Sequence, residues 1–282
     1  MQLNNTINVK ELMVFLLNNQ GITLDPVPKI DTVLPTELKE NCCNTLNWIN
    51  TADIDWANIG SAILIAPPTA AGPEGSNTSV INVENPRLVF AKIMVEFFSH
   101  SPEATDPINI TIGDRCQIHE TVIFGENCVI GNNVKIGKKT RLGHNVVVES
   151  NVEIGQDCII ETGSVLGSTG FGYEKENDTF FRIPHVGGLS LGNRVEVGAN
   201  TSIHKGTLGL TKIGSGVKID DQSFIAHNVD IGKNTIICSH VVICGSTVVG
   251  ENCWISPGTI IRDNLQVGRN CTLGIGTVLV KS

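Results

Sequence analysis

An aliphatic residue recurs every six positions through most of this chain, and few folds accept that spacing. The series runs Ile112, Ile118, Phe124, Ile130, Ile136, Leu142, Val148, Ile154, Ile160 and Leu166, and breaks. It resumes at Leu191, Val197 and Ile203, slips by four residues, and continues at every sixth position from Ile213 to Leu279. A helix needs apolar residues at a spacing of about 3.6, so this period excludes one. Sustained repetition at a short fixed period marks a solenoid, in which each repeat buries its apolar side against its neighbours. Four residues after each aliphatic one sits a small or β-branched residue, as at Cys116, Val122, Cys128, Val134, Thr140, Val146, Val152, Cys158 and Ser164. The residue directly after it is often glycine, as at Gly113, Gly125, Gly131, Gly137, Gly143 and Gly155. A short strand, a tight turn and another short strand fit this pattern, with the glycine expected to supply the positive φ of the turn. Three hexads then close one triangular coil. About eight coils at the ordinary strand spacing of roughly 4.8 Å build a prism of roughly 40 Å.

Composition agrees with a solenoid of stacked aliphatics: 29 glycines and only 5% aromatic residues in 282. The net charge of −8 argues against nucleic acid, or an anionic membrane, as a partner held by charge. No apolar run reaches membrane-spanning length and no signal peptide is recognisable, so a cytoplasmic protein without a transmembrane segment is expected. The nine cysteines show no CxxC metal spacing. Five of them (Cys116, Cys128, Cys158, Cys253 and Cys271) fall on the small-residue position of the hexad, which suits packed free thiols in a reducing compartment.

Before the prism the chain changes character. Val9, Leu12, Met13 and Leu16 share one helical face, predicting a helix over 7–17. Short apolar runs at 45–49, 61–65 and 79–83, separated by Pro67-Pro68 and a turn cluster at 71–77, read as strands. Asn85-Pro86 opens a second helix, with Leu88, Ala91, Val95 and Phe98 as its expected buried stripe. Residues 1–100 are thus read as a small α/β domain, 101–109 as a linker and 110–282 as the prism. The first break in the hexads, 167–190, holds about 19 residues more than the repeat needs, including the chain's only tyrosine and three of its nine phenylalanines. Long loops within a regular repeat are usually functional. The second break is 207–210.

The hexads resemble those of the left-handed parallel β-helix of the hexapeptide-repeat acyltransferases, which implies a mainly β protein of that fold. Four further features occur in order. They are the N-terminal α/β domain, the Gly170-Phe171-Gly172-Tyr173 loop with its Ile183-Pro184 tail, Val197-Gly198-Ala199-Asn200-Thr201, and Ile225-Ala226-His227-Asn228. Together they are similar to the UDP-3-O-acylglucosamine N-acyltransferases of lipid A synthesis. The resemblance implies transfer of an acyl group from a carrier thioester to the amine of a nucleotide-linked sugar, in a homotrimer with no permanently bound cofactor and no metal. An amine attacking a thioester must lose a proton, so a base must lie within hydrogen-bond reach. His227 matches the family's catalytic histidine. Two residues after an inward isoleucine, it is expected to point out of the prism, toward a neighbouring subunit. Asp220 matches the family's acidic residue seven positions upstream. One hexad plus one separates the two, so they fall on successive faces of a coil, and Asp220 serves either a neighbour's histidine or the sugar. Trp48 and Asn50 lie in the stretch that holds uracil in the family, with core packing the alternative for Trp48. Phe171, Tyr173 and Asn228 complete the expected substrate contacts. Lys205, Lys218 and Arg262 are candidates for phosphate.

The sequence also departs from the family. His204-Lys205 stands where Asp-Arg is usual, Gly209-Leu210 where acidic residues are, and Asn264 near the family's second functional histidine. The family's C-terminal helical extension has no counterpart before Ser282. The donor is therefore acyl carrier protein or coenzyme A. The alternative reading is a coenzyme A-dependent short-chain transferase on a UDP- or dTDP-amino sugar. Two rivals remain open: a zinc site of His204, His227 and His240, as some hexapeptide prisms carry, and a scaffold without chemistry.

Overall fold

A computed structural model describes residues 6–23, 32–35, 44–50, 62–70, 78–98 and 109–281. The chain divides into two compact units, residues 1–103 and 104–282. The turn cluster at 71–77 and linker residues 101–108 lie outside the described residues.

The described residues of the N-terminal unit form a five-stranded sheet and two helices. Its strands, Ile7–Asn8, Thr32–Pro35, Thr45–Trp48, Ala62–Ala66 and Ser79–Asn82, are ordered as in the sequence. The first pair is antiparallel and the others are parallel. Helix α1, Val9–Gln20, starts two residues later than the apolar pattern suggested. The reason is local: Asn8 caps it, its side chain accepting from the N–H groups of Lys10 and Glu11, and Gly21 ends it at φ 64°. Helix α2, Pro86–Phe98, opens at Asn85-Pro86 as expected, with Asn85 accepting from the Leu88 N–H. Its buried face is not the expected one. Pro86, Val89 and Ile93 are buried, whereas Leu88, Ala91 and Val95 are exposed. The helix is apolar almost all round, so spacing alone left its phase open. The strand at Thr32–Pro35 carried no alternation and went unread.

The second unit is the triangular prism. Its strands form three parallel sheets of nine, eight and eight strands. Face one begins at Thr111–Ile112, face two at Gln117–Ile118 and face three at Ile123–Phe124. Paired residues lie 18 apart, as in Lys135↔Glu153 and Arg141↔Ile159, so three hexads close one coil. The hexad aliphatics from Ile130 to Val267 are buried in one continuous core. At roughly 1.5–3 kcal/mol each, these side chains supply most of the drive to fold. Only at the ends of the stack, at Ile112, Ile118, Phe124, Leu273 and Leu279, does a hexad aliphatic stay partly or fully exposed.

The small-residue position has a second duty where it carries oxygen or sulfur. Thr140 Oγ1 donates to the Gly155 carbonyl at 2.8 Å, Thr235 Oγ1 to that of Gly250 at 2.9 Å, and Cys128 Sγ to that of Gly143 at 3.1 Å. Each group satisfies a backbone acceptor one coil along, so the narrow interior accepts polar atoms without stranding them. The seven described cysteines are free thiols.

The hexad glycines do something other than supply positive φ. In these turns the left-handed residue comes two positions later, at Arg115, Asn127, Asn133, Lys139, Asn145 and Asp157, with φ between 55° and 57°. Asparagine tolerates this region better than most residues. The glycines are needed because the next coil passes close above. A Cβ on Gly125 would lie 2.5 Å from the Gly143 carbonyl carbon, and one on Gly137 2.6 Å from that of Gly155.

Gly125→Ala should therefore destabilise the prism by about 1–3 kcal/mol through overpacking against backbone. Gly209→Ala, where a Cβ meets nothing within 4 Å, should stay within about 0.5 kcal/mol of the parent. Denaturant melts of the two variants check this, and equal stabilities would contradict it.

Candidate functional site

Both interruptions of the repeat fall on one edge of the prism, where face one turns into face two. The first leaves face one after Val165–Ser168 and returns on face two at Gly188–Leu191. Its register, Leu166↔Ile203, spans 37 positions against the usual 18, which matches the 19 extra residues read from the sequence. The second precedes the face-two strand Leu210–Ile213, where the pairing Gly188↔Leu210 spans 22. The two segments bond to each other: the Val186 N–H donates to the Thr207 carbonyl and the Gly188 N–H to that of Gly209.

The first insertion is a two-stranded antiparallel hairpin, Tyr173–Glu176 with Thr179–Arg182. Its aromatics face outward. Phe171 is 81% exposed and Phe180 74%, and Phe171 packs against Tyr173 with ring centroids 4.9 Å apart and planes tilted by 60°. They do not seal a prism face.

The same edge gathers three histidines. His204 ends the face-one strand Ser202–His204, and His227 follows the face-one strand Phe224–Ile225 one coil along. His185 comes from the tail of the insertion. His227 lies outside the core, as its place in the hexad required, but half-buried rather than in open solvent. Its ring sits in a slot. A Cβ on Gly245 would come within 2.7 Å of Cε1, and one on Gly170 within 2.9 Å of Cδ2, so glycine is needed on both sides. The His185 ring closes the slot edge-on, with centroids 4.9 Å apart and planes at 67°.

Asn228 fixes the ring's hydrogen bonding. Its Oδ1 accepts from the Thr207 N–H at 2.9 Å, which leaves its amide as donor toward Nδ1 of His227 at 3.2 Å. The neutral His227 ring then carries its own proton on Nε2. Burial holds its pKa below the usual histidine value of 6.5, and His185 adds to the effect. His204, edge-on to Phe224 at 4.7 Å, is lowered likewise by burial and then by His227 and His185.

Asp220 is elsewhere. It follows the face-three strand Lys218–Ile219, and its Oδ1 accepts from the Asp221 N–H. It lines a groove of about 400 Å³ across face three with Glu196, Lys218, Cys238 and Trp254, where Lys218 is paired with Glu196 at 2.6 Å. No hydrogen bond joins Asp220 to His227 within one chain.

The other sequence candidates divide. Lys205 lies beside His204 at the histidine edge, Lys218 in the face-three groove, and Arg262 one coil above Cys244. Asn264 continues that edge, its N–H donating to the Gly245 carbonyl. In the N-terminal unit Trp48 is half-buried against Phe90, and the Arg87 guanidinium lies 5.9 Å above its ring. It belongs in part to that unit's core. Asn50 is exposed. Within one chain the suggested zinc set is not assembled, because His240 lies above Asp221 at the edge between faces three and one. Among the described residues no three His, Cys, Asp or Glu side chains are placed to hold a metal ion. None of their helices is long and apolar enough to cross a membrane. Sequence reasoning missed His185. Its signal was its place in the insertion, directly after Ile183-Pro184.

The repeat described as bacterial transferase hexapeptide (six repeats) matches residues 109–140, 133–168, 210–245 and 246–281. The hexapeptide region is also similar to two proteins named UDP-3-O-acylglucosamine N-acyltransferase. The one from Shewanella denitrificans is 53% identical over 85 residues, and the one from Thermosynechococcus vestitus 49% over 84. These matches take in 30% and 29% of this chain but only 25% of each relative's length. Among solved structures, the UDP-N-acetylglucosamine O-acyltransferase of Moraxella catarrhalis is 21% identical, with a TM-score of 0.54 over 61% of this chain and 66% of that one. The UDP-N-acetylglucosamine acyltransferase of Francisella novicida is 22% identical, with a TM-score of 0.55 over 61% and 62%. At that identity the likeness is one of fold, and the prism is a left-handed parallel β-helix.

The lowered proton affinity of His204 and His227 has a stability consequence. Below the usual histidine value the unfolded chain binds more protons than the folded one, so stability falls as pH drops through about 6.5. Thermal melts at pH 7.5 and 5.5 should show a lower Tm at the acid value, and His204→Gln should lose less between them. An equal loss in that variant would contradict the assignment.

Proposed function

We propose that this chain, whose coils carry the bacterial transferase hexapeptide repeat, is an N-acyltransferase that moves an acyl group, a 3-hydroxyacyl by family resemblance, from a carrier thioester to the amine of a nucleotide-linked amino sugar. The UDP-3-O-acylglucosamine step of lipid A synthesis is the favoured reaction. The observation that carries this reading is His227. A half-buried imidazole of lowered proton affinity, slotted between two obligate glycines beside an exposed aromatic loop, lies within a hexapeptide match at residues 210–245.

The amine attacks the thioester carbonyl as its free base and becomes cationic on adding. It gives a proton to His227, the tetrahedral intermediate collapses, and the carrier thiolate leaves and takes up that proton. A neutral imidazole at neutral pH is the form that accepts it. Asn228 keeps the Nδ1 lone pair in use, so base catalysis through Nε2 requires the ring proton to move to Nδ1, opposite a new acceptor. Asp220 lies on another face of its own prism, so a carboxylate partner for His227 would come from a second copy. This favours a homotrimer whose sites lie between prisms, the face-three groove of one facing the histidine edge of the next. Phe171 and Tyr173 offer an apolar rest for the acyl chain, and Trp48 and Asn50 a place for the base of the nucleotide. Acyl carrier protein is the proposed donor and coenzyme A the alternative, with a UDP- or dTDP-amino sugar outside lipid A as the second acceptor class.

His227→Ala should leave the oligomer intact and lower transfer by about 10²–10⁴-fold, the usual range for a lost general base. Thiol release from acyl carrier protein and coenzyme A donors, with UDP- and dTDP-amino sugars, measures it. Near-parent rates in the variant would remove His227 from the chemistry, and intact trimers without turnover on any donor would favour a scaffold.

A further inference from the structure

Among the described residues no carboxylate is hydrogen-bonded to His227, as one usually is to a catalytic imidazole. Its immediate neighbours are two glycines, an asparagine amide and a second imidazole. Of these the imidazole is the least explained by packing. His185 is 6% exposed, in a loop that otherwise turns its aromatics outward. Its Nδ1 lies 3.1 Å from the Ile183 carbonyl, which only a donor N–H satisfies, so Nδ1 carries a proton. Its Nε2 is buried with no hydrogen-bond partner, a costly arrangement for a structural residue. It faces Gly170, where a Cβ would come within 2.5 Å of it. One glycine therefore lets both rings come together.

We propose that His185 is the positioning residue of His227: carried in by the insertion, it holds the catalytic ring in its slot and shields it from water. The proposal rests on the reading of His227 as the base. It makes the insertion part of the catalytic machinery, because any movement of residues 170–187 loosens His227. It also explains the two obligate contacts of Gly170. The other titratable groups near this ring are His204 and Lys205 from the coil below and Cys244 and Asp263 from the coils above. Among the described titratable groups, His185 is the one in ring contact with it.

The test uses the full-length protein with ¹³Cε1-labelled histidine, assigned through His227→Gln, so that the His227 titration is followed without substrate. His185→Gln keeps an amide donor for the Ile183 carbonyl but removes the second ring. Gly170→Ala leaves both rings but forces them apart. If His185 positions His227, both variants move the His227 titration upward, toward the ordinary value, by about half a unit. The acid limb of kcat/KM shifts with it, and kcat falls about 3–30-fold while KM changes less than about twofold. A titration within about 0.1 unit of the parent in folded His185→Gln, judged against its parent-like melt, reduces His185 to packing and overturns the proposal. If the titration moves but no donor is turned over by the parent, the inference about the ring pair stands and the transferase reading fails instead.

Discussion

The close passage of one coil over the next is the constraint on which this molecule depends. Backbone pairing every 18 residues fixes where each side chain can point, and it leaves so little room at the turns that glycine is required under the following coil. Once that register is set, aliphatics stack on aliphatics inside. Interior hydroxyls and thiols meet carbonyls one coil along, and every departure from the repeat must be expelled outward. Ion pairs such as Lys135–Glu153 follow the same register across a face. Half exposed, they contribute at most about 1 kcal/mol each.

The prism is uniform except where it is interrupted, and that gives the candidate site its place. Two insertions of different length emerge on the same edge and bond to each other. Between them they cover an edge that would otherwise be exposed turns. The cover lets an imidazole be half-buried on the outside of a solenoid, where burial and a neighbouring ring lower its proton affinity. A rigid stack supplies the floor of the site, and a loop of 19 added residues supplies its wall.

How much of this the sequence disclosed depended on which interaction carried the information. The inward positions, the coil closure and the length of the insertion follow from a period that tertiary packing reinforces at every step, so they were legible residue by residue. The glycines were legible as necessary but for the wrong reason. Sequence marks them as turn residues, whereas the demand for their missing Cβ comes from a chain segment 18 residues away. The phase of α2 was misread because Leu88, Val89, Ile93 and Val95 are alike in hydrophobicity, and only the sheet decides which of them is covered. His227 stood out through its neighbours in the sequence. His185 did not, since its meaning lies in an edge-on contact across 42 positions that no local pattern announces.

The proposed reaction requires His227 and Asp220, which lie on different sides of one prism, to meet between copies. Mixing separately inactive His227→Ala and Asp220→Ala chains under conditions that exchange subunits tests it most directly. In random 1:1 mixtures about a quarter of the interfaces would pair an intact His227 with an intact Asp220 from another copy. Transfer should then recover to about that fraction of the parent rate. No recovery, with mixed oligomers demonstrably formed, would contradict that requirement.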